Sequence, residues 1–229
     1  MMFCFCFLAY GEEHIKEFNI VAKSILKLNS NYKIIVGTDS PIDIIDGVYQ
    51  TILINESFNY NLKRIVIEHS LKEFNTILFL DTDIFIRYGV NFSILDNLVD
   101  GMYAAEIVGL DKLRDVYGSL DYMKEYLDEL SKIYTDQLFL IHEGLFILNL
   151  SDTKQKEDFI KYWKEIDIQT RPYHKLAYDL LGAMEGIIIW IAIQKANIKL
   201  TLMEGEIEKL FNFISHFGSR NRKLEKTLI

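Results

Sequence analysis

An α/β fold, with a mostly parallel central sheet flanked by helices, is predicted by three features of the sequence. Strand-like and helix-like segments alternate through the first ninety or so residues, the order that builds parallel sheets. Residues 76–80 form a continuous apolar run, Thr76-Ile77-Leu78-Phe79-Leu80, as expected of a strand buried on both faces. Residues 15–28 carry apolar side chains at 15, 18, 21, 22, 25, 26 and 28, which is one stripe of a helix.

The elements follow in order. Residues 3–8 read as the first strand and 15–28 as the first helix. Residues 33–37 are a second strand, stopped by the turn chemistry of Thr38-Asp39-Ser40-Pro41. A third strand is expected at 50–54, then a helix over 62–74 with apolar positions 62, 65, 66, 67, 71 and 74, then the strand 76–80. In such sheets ligands bind beyond the carboxyl ends of the strands. Asp39 and Asp81 both stand just past a predicted strand end, which puts them on one rim. The second half predicts strands at 102–107 and 144–150, a polar helix at 120–134, helices at 156–166 and 176–196, and late strands at 198–203 and 211–214.

Composition narrows the classes of function. The chain has 229 residues, is half hydrophobic and carries a net charge of −8, which allows a full core and excludes a disordered chain. With no repeat, low-complexity stretch or evident linker, a single domain over 1–229 is expected. The acidic balance provides no footprint for a phosphate backbone, so nucleic acid is not an expected partner. Cys4 and Cys6, the only cysteines, would face the same side of a strand as small buried hydrophobes, and their scarcity fits a reducing, cytoplasmic compartment. Residues 1–9 are apolar but lack a basic start and are followed by Tyr10-Gly11-Glu12-Glu13, so they read as a buried strand rather than a signal peptide. No run is long enough to span a bilayer. The basic segment 219–223 leaves peripheral contact with a membrane open.

The most informative segment is Asp81-Thr82-Asp83, held between the apolar runs 76–80 and 84–86. Two carboxylates ending a buried strand need partners, and a hard divalent cation such as Mg²⁺ or Mn²⁺ supplies one. A turn with solvated acids is the plain alternative.

Residues 75–83, Asn75 through Asp83, resemble the metal-binding segment of GT-A glycosyltransferases, of the glycogenin and bacterial lipopolysaccharide galactosyltransferase type. The likeness continues with a basic pair, Lys63-Arg64, on the preceding helix, Arg64 lying seventeen positions before Asp81. Residues 143–150 resemble a later strand of that family, and His216-Phe217-Gly218-Ser219-Arg220 its late histidine segment. The chain departs from the pattern where His142-Glu143 replaces the usual pair beside the donor sugar. It also lacks the late lysine, which leaves Arg220 or Lys223 for the phosphate.

The resemblance implies a single GT-A-like domain with a Rossmann-like nucleotide-sugar-binding half at 1–100 and an acceptor-binding and C-terminal half at 101–229. It implies transfer of a hexosyl or pentosyl group from a nucleotide sugar, a UDP-sugar first, to a glycan or other hydroxyl acceptor. Mn²⁺ or Mg²⁺ would be held by Asp83, His216 and Asp81, with Asp81 also reaching the ribose. Ala9, Tyr10, His14 and Asp39 would meet the nucleoside, and Thr82 lies within the same turn. Arg64 and Arg220 would contact donor sugar or phosphate, although a solvated cation, on the helix surface for Arg64, accounts for either as well. Glu185 enters an otherwise apolar helix and reads as an acceptor-binding group or general base, or else as an acid favoured by the helix dipole.

Two other classes fit parts of the pattern. A haloacid-dehalogenase-type phosphatase also places two acids after a hydrophobic strand, but here Ile84 follows where that family has Gly. A non-catalytic nucleotide- or sugar-binding domain would keep the fold without a reason to keep the acids, the histidine and the basic residues together.

Overall fold

The computed structural model describes residues 3–42, 50–56, 62–86, 90–109, 124–142, 144–181, 184–212 and 214–216. In chain order the elements are β1 (Phe3–Ala9), α1 (Glu12–Leu28), β2 (Lys33–Thr38), β3 (Gln50–Leu53), α2 (Leu62–Leu71), β4 (Thr76–Leu80) and β5 (Ile84–Ile86). A 3-10 turn at Phe92–Asn97 leads to β6 (Gly101–Ala104), β7 (Ile107–Gly109), α3 (Lys124–Ile133), β8 (Phe139–Ile141) and β9 (Leu145–Asn149). The chain continues through α4 (Thr153–Leu181), α5 (Met184–Lys195), β10 (Leu200–Leu202), α6 (Gly205–Asn212) and β11 (Ile214–His216). The fold is mixed α/β with a mostly parallel sheet, as predicted. It divides into two compact units: Met1–Leu98 with Glu204–Ile229, and Val99–Met203.

In the first unit β4, β1, β2 and β3 lie side by side and all pair in parallel. Every residue of β4 is buried, and β1 is buried at six of its seven positions. That accounts for their uninterrupted apolar sequences, because a strand covered on both faces shows no alternation. Helix α1 buries Phe18, Val21, Ala22 and Ile25, which lie along the predicted stripe, and α2 buries Leu62, Val66, Ile67 and Leu71. Beneath β1 the rings of Phe3, Phe5, Tyr32 and Phe92 meet with centroids 5.1–5.9 Å apart, mostly tilted or edge-on, which favours the ring quadrupoles.

Gly37 marks where α2 closes on the sheet. A Cβ built there would stand 2.4 Å from Val66 Cγ2 and 2.8 Å from Ile54 Cδ1. Gly37→Ala is therefore expected to destabilise the protein by about 1–3 kcal/mol through overpacking, read as a lower urea midpoint with unchanged slope.

Cys4 and Cys6 are fully buried with their sulfurs 3.6 Å apart, and Cys6 Sγ lies 3.0 Å from Ser70 Oγ. Both are free thiols, and burial pushes the Cys4 thiol well above its ordinary range. Neither is expected to react with a colorimetric disulfide reagent in the native protein, and both should react at once in denaturant.

The second unit pairs β6 with β10 in parallel and with β9 antiparallel, and β7 with β8 antiparallel. Helix α5 buries Ile187, Ile188, Ile189, Ile191, Ala192 and Ile193, so it is apolar on nearly every side, as a central helix must be. Asp152 caps α4, its carboxylate accepting from Lys154 N at 2.8 Å. Among the described residues no helix is long and apolar enough to cross a membrane.

Several boundaries differ from those expected. Residues 211–212 end helix α6 rather than opening a strand, and β11 begins at Ile214. The expected strand 102–107 is two strands, β6 and β7, in different sheets. The expected helix 156–166 runs instead from Thr153 to Leu181, through Pro172. The apolar helix starts at Met184, not 176.

Candidate functional site

Parallel pairing brings three strand ends to one rim. Ala9 at the end of β1 is level with Thr38 at the end of β2, and β4 runs the same way on the other side of β1. Tyr10, Asp39 and Asp81 therefore leave the sheet together, as expected. Just beyond β1, Gly11 has φ 87°, a left-handed value that glycine adopts without strain. Its N–H donates to Asp39 Oδ1 at 2.9 Å, and its carbonyl accepts from Ile15 N at 3.0 Å, opening α1. Asp39 thus joins the loops after β1 and β2. The Tyr10 hydroxyl donates to the Glu56 carbonyl at 2.9 Å.

Asp81, Thr82 and Asp83 turn the chain from β4 into β5, with Ile84 N donating to the Asp81 carbonyl at 3.1 Å. The Lys63 ammonium of α2 lies 3.0 Å from Asp81 Oδ1 and 5.2 Å from the centre of the Phe79 ring. Lys63 is only 4% exposed, so its charge is neutralised where water scarcely reaches.

Thr82 is buried, and its hydroxyl donates to Glu17 Oε2 at 3.0 Å. His14 Nδ1 lies 3.1 Å from both Thr82 Oγ1 and Glu17 Oε2. A threonine hydroxyl has one proton, and Thr82 gives it to Glu17. With that proton committed to Glu17, the arrangement favours an imidazole that donates from Nδ1. Helix α1 in this way grips the middle residue of the acidic turn.

Asp83 is partly buried. After it the chain enters β5, which pairs antiparallel with β11, His216 opposite Ile84. The backbone of His216 thus stands across from the residue next to Asp83; its side chain lies outside the described residues, as do Arg220 and Lys223. Arg64 donates from a guanidinium nitrogen to Glu68 Oε2 at 2.9 Å on the next turn of α2, while its Nε is buried with no hydrogen-bond partner among the described residues. Glu185 is 2% exposed in the first turn of α5, where the helix dipole favours a negative charge.

Among the described residues no group of three or more His, Cys, Asp or Glu is arranged to hold a metal. The donor types on the β4–β5 turn and at the end of β11, two carboxylates and an imidazole, nonetheless suit Mn²⁺ or Mg²⁺. The backbone pairing sets His216 beside that turn.

Two residues of this site are missed by sequence reasoning. Lys63 stands in the basic pair, but only Arg64 is taken as functional, and it is Lys63 that meets Asp81. The signal was available: in a helix whose buried face includes Leu62, Val66 and Ile67, position 63 shares the inward side with 66 and 67. Glu17 gives no sequence signal, because its partner Thr82 is sixty-five residues away.

No protein-family model matches the chain, and no curated protein matches it. Solved structures do. One is the galactosyltransferase LgtC in complex with donor and acceptor sugar analogues, at 15% identity and a TM-score of 0.53, covering 96% of this chain and 88% of that one. Another is an active-site mutant of LgtC, at 14% identity and a TM-score of 0.53, covering 89% of this chain and 73% of that one. At such identities the likeness is one of fold, and the fold is GT-A-like, as the resemblance implied.

Proposed function

We propose that the protein is a metal-dependent glycosyltransferase that moves a sugar from a nucleotide-sugar donor, a UDP-sugar first, to a hydroxyl of a glycan or similar acceptor. The observation that carries this reading is the acidic turn Asp81-Thr82-Asp83 at the carboxyl end of β4, with the end of β11 paired beside it, in a chain folded like a galactosyltransferase. Residues 1–100 would serve the donor, and 101–229 the acceptor together with the C-terminal donor-side groups His216 and Arg220.

Asp83 and His216 would hold a divalent cation, with Asp81 contributing as far as its pairing with Lys63 allows. Such a cation supplies Lewis-acid neutralisation of a departing diphosphate. The protein's own groups do the rest. Ala9, Tyr10 and Asp39, gathered by parallel pairing, line the rim where a nucleoside would lie. His14 stands beside the turn, its Nδ1 against the Thr82 hydroxyl. Arg64, and Arg220 beyond the described residues, would bind donor sugar or phosphate, and fixed cations of this kind are worth most against charge that develops in the transition state. Glu185 would act on the acceptor hydroxyl.

Isothermal calorimetry tests the reading. UDP is expected to bind in the presence of Mn²⁺ and to bind far more weakly without it. No heat with UDP or GDP at any Mn²⁺ concentration would remove the transferase. Turnover of a generic aryl phosphate would favour the phosphatase instead.

A further inference from the structure

The second unit holds a cavity of about 500 Å³ that none of the candidate site residues above lines. Its walls include Ile107, Phe139, Trp190, Gln194, Asn197 and Lys199. We infer that it is a subsite for a pyranose ring of a glycan, a reading that rests on the transferase and extends it.

The argument begins with Trp190. The residue is partly exposed, yet its indole nitrogen is shut off from solvent and has no hydrogen-bond partner among the described residues. What Trp190 offers to solvent is therefore carbon rather than its N–H. Phe139 meets the indole edge-on, with centroids 4.9 Å apart at 66°, and braces it from β8. One helical turn on, Gln194 lies on the same side of α5.

The polar wall is set by the backbone. Asn197 has φ 53°, in the left-handed region that asparagine tolerates better than most residues, and so ends the turn after α5. Its carbonyl accepts from Gln155 Nε2 at 3.0 Å, and Ile198 N donates to the Ile193 carbonyl at 2.9 Å. Two residues later the Lys199 carbonyl accepts from Met102 N at 2.9 Å. Asn197 and Lys199, both exposed, are thereby fixed at the cavity on a rigid frame.

The chemistry of this wall matches a sugar. A pyranose has an apolar C–H face for an aromatic surface and a belt of hydroxyls that both donate and accept. Gln194 and Asn197 can answer in both senses, and the ammonium of Lys199 donates. A nucleotide is a poorer match, because one exposed lysine gives little charge against a diphosphate. The volume falls within the usual small-molecule range of roughly 300–1,000 Å³.

Tryptophan emission reads the site directly. The chain has two tryptophans, and Trp163 is fully buried, so a ligand-dependent change reports Trp190. The whole protein would be titrated with methyl glucoside, methyl galactoside and lactose to about 50 mM, with UDP and Mn²⁺ followed by calorimetry on the same preparation. At least one glycoside is expected to give a saturable change, about tenfold weaker in Gln194→Ala and in Lys199→Met, as loss of a hydrogen bond predicts. No saturable change from any glycoside overturns the subsite, and so does a response of equal strength in both variants. UDP binding without a glycoside response overturns the subsite and spares the transferase. A glycoside response without UDP binding supports a sugar site and removes the transferase.

Discussion

Asp83→Ala is expected to abolish Mn²⁺-dependent binding of UDP while the protein remains folded. The carboxylate stands in the turn between β4 and β5, on the residue before Ile84, whose backbone pairs with His216 of β11. It is partly buried, and the turn is also held through its neighbours: Lys63 on Asp81, Glu17 and His14 on Thr82. Removing Asp83 should therefore take away a ligand while those neighbouring contacts of the turn remain. Transferase activity should fall by a factor of about 10²–10³ or more, the scale on which one fixed electrostatic group acts in a transition state. The melting temperature should move by no more than about 4 °C, since little apolar burial is lost. Asp96→Ala, at an exposed acid in the 3-10 turn, serves as the control and should bind UDP like the parent. Equal UDP affinity in Asp83→Ala and the parent, with metal present, would place the cation elsewhere.

What was legible in the sequence follows from how locally each feature is encoded. β1, β2 and β4 were readable to within a residue because burial on both faces writes an unbroken apolar run. The rim was readable too: once those strands are parallel, Tyr10, Asp39 and Asp81 must emerge together. Short elements were harder. Phe211 and Ile214 flank a brief apolar stretch that looks like a strand in isolation, but Ile207, Leu210 and Phe211 are spaced i, i+3, i+4, and the helix wins as far as Asn212. The helix expected to stop at 166 continues through Pro172 to Leu181. The Glu17–Thr82–His14 contacts could not be read at all. They join residues on α1 and the β4–β5 turn that no periodicity connects, and only the packing of α1 on the sheet brings them within 3.1 Å.

The pairing of Lys63 with Asp81 leads to an asymmetry between two substitutions. The lysine side chain is 5% exposed and the aspartate side chain 35% exposed, with 3.0 Å between the charges. Asp81→Ala takes one carboxylate away from an ammonium buried between α2 and β4, and weakening the pairing of a charge shut away from water is costly. Lys63→Met leaves a carboxylate that water already reaches, and fills the lysine's space with an apolar chain beside the Phe79 ring. In urea unfolding, Asp81→Ala is expected to cost about 2–4 kcal/mol, toward the low side of what breaking a fully buried pair costs, and Lys63→Met about 1 kcal/mol or less. Function should follow the opposite order. Taking away the lysine adds one net negative charge to the acidic turn, so Lys63→Met should bind Mn²⁺ more tightly, by about tenfold at the effective dielectric of a protein surface. Asp81→Ala removes a negative charge and should bind Mn²⁺ more weakly than the parent. Manganese affinity measured by paramagnetic resonance, with no nucleotide present, separates these effects from catalysis. Weaker Mn²⁺ binding in Lys63→Met would mean that the ammonium positions Asp81 for the ion rather than competing with it, and the two charges would then act as one unit.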